Sequence, residues 1–222
     1  MPDAATFQPG VYTMPAEKYH ADPLRGVGAE SLSFHESTLL TPPSTPAHFR
    51  WAKDHGCEQT ESMREGEALH SLILGGRPVV ERGDARSDEA KKARDDLRAA
   101  GAIDLTAARY AAVTAWADAI TGHELASAAL TGGQAEQSLF AVDPETGVWL
   151  RGRVDYLQVR DDGRVIVVDV KTTAGSAAPM ADGFGREVAT YGFHRQAAWY
   201  LRLVDLLGLG GPVSFFLVVV EK

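Results

Sequence analysis

The stretch Arg151–Thr173, RGRVDYLQVRDDGRVIVVDVKTT, constrains the fold of this chain more than any other. Val148–Val159 is rich in apolar and β-branched residues, and Arg164–Lys171 is nearly continuous β-branched sequence. Asp161-Asp162-Gly163 between them supplies turn chemistry, so two strands joined by a tight turn are expected. Side chains alternate across a strand. Arg151, Arg153 and Asp155 therefore share one face of the first strand, and Asp169 and Lys171 share one face of the second. The turn can bring Asp155 close to Asp169, which sets two carboxylates and an ammonium on a sheet otherwise filled with valine. An ionised carboxylate there is costly unless it is paired or bound to a cation, and strand stability alone calls for no such trio.

Two readings of the trio are open. Two carboxylates on neighbouring strands suit a hard cation such as Mg²⁺ or Mn²⁺, which takes oxygen ligands. Such a cation makes a bound water more acidic and neutralises charge developing on a phosphoryl oxygen. Lys171, a compact point charge, would orient that water or steady the attacking hydroxide. The other reading is a buried Asp–Lys pair that only fixes strand register.

The remaining candidates are read the same way. A helix opened by Thr60 or Ser62 runs to Leu74 and stops at Gly75-Gly76, with Met63, Gly66, His70 and Ile73 on or near one face. His70 there is either a hydrogen-bonded core residue or a ligand; Glu67, one turn earlier, is expected to face solvent. Glu136, near the start of a strand Ala135–Val142, either reaches a second cation or is simply exposed. Gln196 and Tyr200 share a face of a long helix expected from about Glu187 to Leu207, where they can hydrogen-bond a phosphate or the lysine; Tyr200 is otherwise core. Arg151 and Arg153 either contact phosphates or partner the carboxylates. The run Lys91-Lys92-Ala93-Arg94 is matched by flanking acids and reads as solvated helix, and Cys57 as an uninvolved thiol.

At 222 residues, with 45% hydrophobic and 23% charged residues, the chain has the composition of a soluble globular protein with a sizeable core. It shows no apolar run of membrane-spanning length and no secretory signal pattern, so a cytosolic location without membrane partners is expected. One cysteine excludes a disulfide framework, a cysteine-based zinc site and a four-cysteine iron–sulfur cluster. A net charge of −8 argues against diffuse binding to nucleic acid, though not against a local basic surface. In chain order the expectation is an extended, loop-like arm to about Ser31, and short helices from Ser33 and from Thr45-Pro46. Helices over Asp88–Arg98, Thr106–Ile120 and Glu124–Leu130 follow. Then come a three-strand meander, a loop Thr172–Arg186, the long helix and a last strand, Val213–Val220. This order predicts a single domain of mixed α/β or α+β class, with a helical part over 32–131 and a sheet core over 132–222.

The motifs in this order resemble the PD-(D/E)XK nuclease superfamily, most of all its RecE (exonuclease VIII)-type, RecB-like branch found in phages and prophages. The matching pieces are Gly66-Glu67-Ala68-Leu69-His70, Gly152-Arg153-Val154-Asp155, Val168-Asp169-Val170-Lys171-Thr172-Thr173 and YGFHRQAAWY over Tyr191–Tyr200. The resemblance runs from about Ser31 onward. A lone D-x-K is unspecific; all four pieces in order are not.

The resemblance implies a mixed central sheet flanked by helices. It implies His70, Asp155 and Asp169 as metal ligands with the Val170 carbonyl, and Lys171 as the catalytic lysine. Gln196 and Tyr200 would support the site and contact DNA, and Glu136 would match an acidic residue on the preceding strand. The implied activity is Mg²⁺- or Mn²⁺-dependent trimming of linear duplex DNA from its 5′ ends, leaving a 3′ strand for a single-strand annealing protein of phage recombination in a bacterial host. The alternatives are an endonuclease or a single-strand- or RNA-preferring nuclease of the same superfamily, or a non-catalytic adaptor for DNA or a recombination protein. A ring-forming homo-oligomer would gather Arg151, Arg153 and other cations around the duplex. Iron–sulfur relatives are set aside by the single cysteine. RecE-type domains commonly continue beyond a strand such as the one ending at Glu221-Lys222, so further sequence is expected there.

Overall fold

The structure, a computed structural model, describes residues 7–56, 59–82, 87–180 and 183–222. Cys57 lies outside the described residues. The N-terminal part holds β1 (Gly10–Thr13), α1 (Ala16–His20), a short 3-10 helix (Pro23–Val27), β2 (Ser31–Ser33), α2 (Phe34–Thr38) and α3 (Pro46–His55). Next come α4 (Glu61–Leu74), β3 (Val79–Arg82), α5 (Asp88–Ala99), β4 (Ile103–Thr106), α6 (Ala107–Gly122) and α7 (Glu124–Ala129). The last part holds β5 (Gln134–Val142), β6 (Trp149–Val159), β7 (Val165–Thr173), α8 (Phe184–Tyr191), α9 (Phe193–Leu206) and β8 (Val213–Glu221).

Side-chain caps set several helix starts. Ser33 and Glu36 form a reciprocal capping box, the Ser33 N–H donating to Glu36 Oε2 at 2.7 Å and the Glu36 N–H to Ser33 Oγ at 3.3 Å. Thr45 followed by Pro46 starts α3, Thr60 starts α4 and Ser87 starts α5.

The chain divides into two compact units. The first comprises Met1–Glu58, Gly132–Val168 and Glu187–Phe216. The second comprises Gln59–Thr131, Asp169–Arg186 and Leu217–Lys222, so one division falls inside β7, between Val168 and Asp169.

The sheet runs β1-β5-β6-β7-β8, with β2 also on β6. β5 lies antiparallel on one edge of β6, from Gln134↔Leu157 to Val142↔Trp149. The other edge of β6 takes β2 in parallel (Ser31↔Trp149 to Ser33↔Arg151) and then β7 antiparallel (Tyr156↔Val168 to Val159↔Val165). The Val165 N–H donates to Pro212 O at 3.1 Å and the Lys222 N–H to Thr173 O at 2.8 Å, so β8 runs parallel to β7 at both ends. A parallel neighbour requires a crossover, which α8 and α9 supply. The result is the mixed α/β class expected from the sequence.

In the first unit, Tyr200, Leu203 and Val204 of α9 pack on Leu139, Ala141, Val154, Leu157, Val165 and Val167. A second cluster of Tyr19, Leu24 and Phe140, with Tyr12 and Met14 against it, docks the N-terminal arm. Gly152 permits the close approach of α9: a Cβ there would stand 2.6 Å from Leu203 Cδ1 and 3.0 Å from the Tyr200 ring.

The arm is also held by charge. Arg151, 4% exposed, meets Asp22 at 2.7 Å and Glu36 at 2.9 Å, while Lys53 meets the same carboxylates at 3.6 and 3.4 Å. Asp22 also accepts from the Ser31 N–H at 2.8 Å and the Ser31 hydroxyl at 2.7 Å. Two acids thus face two bases.

In the second unit the parallel pair β3–β4, Val79↔Ile103 to Arg82↔Thr106, accompanies α4 to α7, with Leu69, Ile103, Leu105, Val113 and Ile120 buried. Among the described residues no helix is long and apolar enough to cross a membrane.

Several expectations are corrected. The arm is not merely extended, since β1 pairs with β5 once Tyr12 and Met14 pack inward. The charged segment after Arg77 contains β3, whose two valines were too short a signal against their neighbours. The buried face of α4 centres on Ala68 and Leu69, and Met63 is half exposed. The long helix is two helices, because Gly192 takes a left-handed φ of 71° that ends one and starts the next. The loop after β7 is shorter than expected at both ends.

Gly152→Ala is expected to destabilise the chain by roughly 1–3 kcal/mol through overpacking, read by denaturant titration. Burial raises the carboxyl pKa of Asp22, but bonds from Ser31 and the charges of Arg151 and Lys53 outweigh it and hold it below its ordinary 3.8. Its stabilisation is therefore complete above that ordinary value and is lost as pH falls through the lower folded value. Asp22→Asn, which tolerates the positive φ of 55° at this position, should cost about 3 kcal/mol at pH 7. In melts run from pH 7 to 3, the gap to wild type should close only below the ordinary value.

Candidate metal centre

β5 and β6 place Glu136 beside Asp155. Ala135 pairs with Tyr156 and Gln137 with Val154, which leaves Glu136 and Asp155 opposite one another in the register. Their carboxylates each offer an oxygen within 4.8 Å of the other. Asp155 is 8% exposed. Glu136 has φ 57°, and with Asp22 it is one of two non-glycine residues of positive φ among those described. For a β-strand glutamate this conformation costs on the order of 1–2 kcal/mol, and such strain recurs where function holds a side chain in place.

Arg153 grips the strained residue. Its Nε donates to Glu136 Oε2 at 2.7 Å, and its Nη2 lies 2.5 Å from the same oxygen. Its Nη1 donates to Met14 O at 2.8 Å and to Ser138 Oγ at 3.1 Å. Of the two roles left open for the arginines, the structure shows pairing with carboxylates for both: Arg151 with Asp22 and Glu36, Arg153 with Glu136. Arg151, expected at a DNA phosphate, is enclosed with its charge already matched.

Gln196 and Tyr200 act on the backbone of β6. The Tyr200 hydroxyl donates to Arg153 O at 2.9 Å and accepts from the Gln196 side-chain amide at 3.0 Å. Trp199, which the sequence did not single out, donates its indole N–H to Arg151 O at 2.9 Å. Tyr200, supported by Gln196, thus holds the strand two residues from Asp155, and Trp199 holds it four residues away.

In the second unit, Asp169 and Lys171 lie on one face of β7 and form an ion pair, Asp169 almost fully buried and Lys171 partly exposed. Val170 between them is buried, and its carbonyl lies 3.3 Å from His70 Nε2, a residue 100 positions away on α4. A carbonyl only accepts, so Nε2 carries the proton in this contact. Glu67 is not simply solvent-facing: it pairs with Arg77 and accepts from the Gln59 amide.

In the first unit the carboxylate oxygens of Glu136 and Asp155 are donors that suit a hard cation such as Mg²⁺ or Mn²⁺. In the second unit the Asp169 carboxylate and the Val170 carbonyl suit the same cations, and the imidazole of His70 suits Mn²⁺ well. His70 would exchange its Nε2 proton for the cation.

The family model described as PD-(D/E)XK nuclease superfamily matches residues 37–222. No curated protein matches the chain. Among solved structures, one named a putative exonuclease, from Eubacterium rectale, aligns with a TM-score of 0.60 over 95% of this chain and 74% of that one. At 15% identity that likeness shows the fold. With a sheet of this kind, D-x-K on a buried strand and a family match over most of its length, the chain belongs to the PD-(D/E)XK nuclease superfamily.

Proposed function

We propose that this nuclease is an Mg²⁺- or Mn²⁺-dependent exonuclease that degrades linear duplex DNA from its 5′ ends, leaving 3′ strands for an annealing protein. The observation that carries the metal reading is the Glu136–Asp155 pair. Two acids with oxygens within 4.8 Å repel, and the strand bears a left-handed glutamate to keep them there. Arg153 offsets part of this repulsion at Glu136, and a divalent cation bound by both carboxylates would favour the arrangement further. The exonuclease reading is supported by the order of the motifs and by the name of the structural neighbour.

His70, Asp155 and Asp169, with the Val170 carbonyl, are the ligands we assign, and Glu136 the additional acid. When bound, the cation supplies Lewis acidity at the scissile phosphate and lowers the pKa of a water. Lys171, fixed by Asp169, donates to the attacking water and offsets charge on the phosphoryl oxygens as they become more negative. Gln196 and Tyr200 keep the β6 backbone, and with it Asp155, in position. Arg153 holds the Glu136 carboxylate in one orientation.

Linear duplex labelled at either end, incubated with Mg²⁺, Mn²⁺ or EDTA, tests the reading. Metal-dependent loss of the 5′ label is expected, with Lys171→Ala and Asp169→Ala slower by about a hundredfold or more. Cleavage of covalently closed circles, early loss of the 3′ label, or absence of cleavage under either metal would each overturn it. Backbone strain at Glu136 is tested separately by stability. Glu136→Gly and Glu136→Ala both lose the Arg153 pair, but glycine accepts the positive φ, so it should be the more stable by about 1 kcal/mol. Equal melting of the two would remove the strain.

A further inference from the structure

Asp104 on β4 is 4% exposed and lies between the buried Ile103 and Leu105. Three guanidinium groups from three elements converge on its carboxylate. Arg98 of α5 donates through Nε at 2.7 Å and through Nη2 at 3.0 Å. Arg82 at the end of β3 stands 3.7 Å away, and Arg64 of α4 stands 4.0 Å away. Burial raises the pKa of Asp104, but the Arg98 bonds and the three positive charges outweigh it and keep it below the ordinary carboxyl value.

One forked arginine already satisfies a carboxylate. The other two add positive charge that Asp104 does not balance, and like charges at this spacing repel. Both keep about a third of the side chain at the surface, 30% for Arg64 and 32% for Arg82. Asp104 borders two clefts. One, of about 160 Å³, is lined by Arg64, Arg98 and Arg77, with Glu67 already bonded to Arg77 and Gln59. The other, of about 140 Å³, is lined by Arg82 and Arg94 with Glu81, and Arg94 pairs with Asp95.

We propose that Arg64, Arg82 and Arg98, oriented by Asp104, form a phosphate-binding site for the backbone of a nucleic-acid strand. Guanidinium groups match phosphate oxygens in geometry and charge, and a buried acid that pre-orients them lowers the entropy lost on binding. The choice of a nucleic acid rests on the nuclease reading. A chain of net charge −8 has to meet a polyanion through local excess charge, and Arg151 and Arg153 are engaged internally. Arg64 precedes His70 by six residues on α4, about 9 Å along the axis and on a different face. It therefore serves a phosphate other than the one being cleaved.

The test measures binding of a fluorescent duplex in EDTA across a salt series. The variant is Arg64→Gln with Arg82→Gln, which leaves the Arg98–Asp104 pair intact, and its fold is checked by melting. The control is Lys91→Gln with Lys92→Gln, whose lysines pair with Asp88 and Asp96 on the solvated face of α5. The arginine variant should bind more weakly, with a salt slope shallower by about 1.8, while the control matches wild type. If the double variant does not fold, each single substitution should lower the slope by about 0.9. Wild-type affinity and slope in the variants, from an enzyme that still cleaves DNA, would overturn the site and leave the nuclease reading standing. Equal loss in the control would reduce the effect to net charge and also overturn it. A wild type that neither binds nor cleaves DNA would overturn both. Stabilisation by inorganic phosphate that the variants lose, with unchanged DNA binding, would make this a small-anion site instead.

Discussion

Charged side chains alternate along β6, a strand paired on both edges and covered by α9, and each has to be matched where water is scarce. Arg151 draws in Asp22 from the N-terminal arm and Glu36 from α2. Its guanidinium also lies 5.4 Å from the Tyr19 ring centre, a cation–π contact. Burial pushes the Tyr19 hydroxyl up to about 12, so the ring stays neutral beside two acids. Arg153 draws in Glu136 at the expense of a left-handed residue in mid-strand. Compensation of buried charge thus links the arm, α2 and β5 to one strand.

The same constraint explains why the sequence was legible where it was. β6, β7 and β8 are long apolar or β-branched runs bounded by turn residues, and in β6 and β7 burial on both faces is what makes such runs conspicuous. Helix starts were legible because their caps are local chemistry: Ser33, Thr45 and Thr60 each bond a backbone N–H three residues on. Short elements were not. β1, β2 and β3 have three or four residues each; β1 and β2 are strands because a longer neighbour offers a ladder, and β3 because the equally short β4 pairs with it, not because their residues insist on it.

Candidate site residues divide along the same line. Alternation alone joined Asp169 to Lys171, and helical spacing joined Gln196 to Tyr200, because both pairs are local. The contact of His70 with the Val170 carbonyl spans 100 positions, and only the motif order pointed to it. Nothing in the sequence marks the left-handed Glu136, since that conformation is ordinarily reserved for glycine or asparagine and here is imposed by tertiary structure. Trp199 was overlooked because an aromatic residue on an amphipathic helix reads as core, and its indole N–H is what matters.

The arginines carry the more general argument. An arginine two residues from a catalytic carboxylate looks, in sequence, like a phosphate contact. On a buried strand the desolvation of that arginine has to be offset by a fixed acid, and a fixed acid that neutralises it also removes its attraction for a phosphate. Arg151 and Arg153 follow this rule. At Asp104 the proportion is reversed: a single acid faces three arginines, and all three retain surface. Charge available to a polyanion is therefore read from the local ratio of arginines to acids and from exposure. Proximity in sequence to the carboxylate of a G-R-x-D motif does not report it.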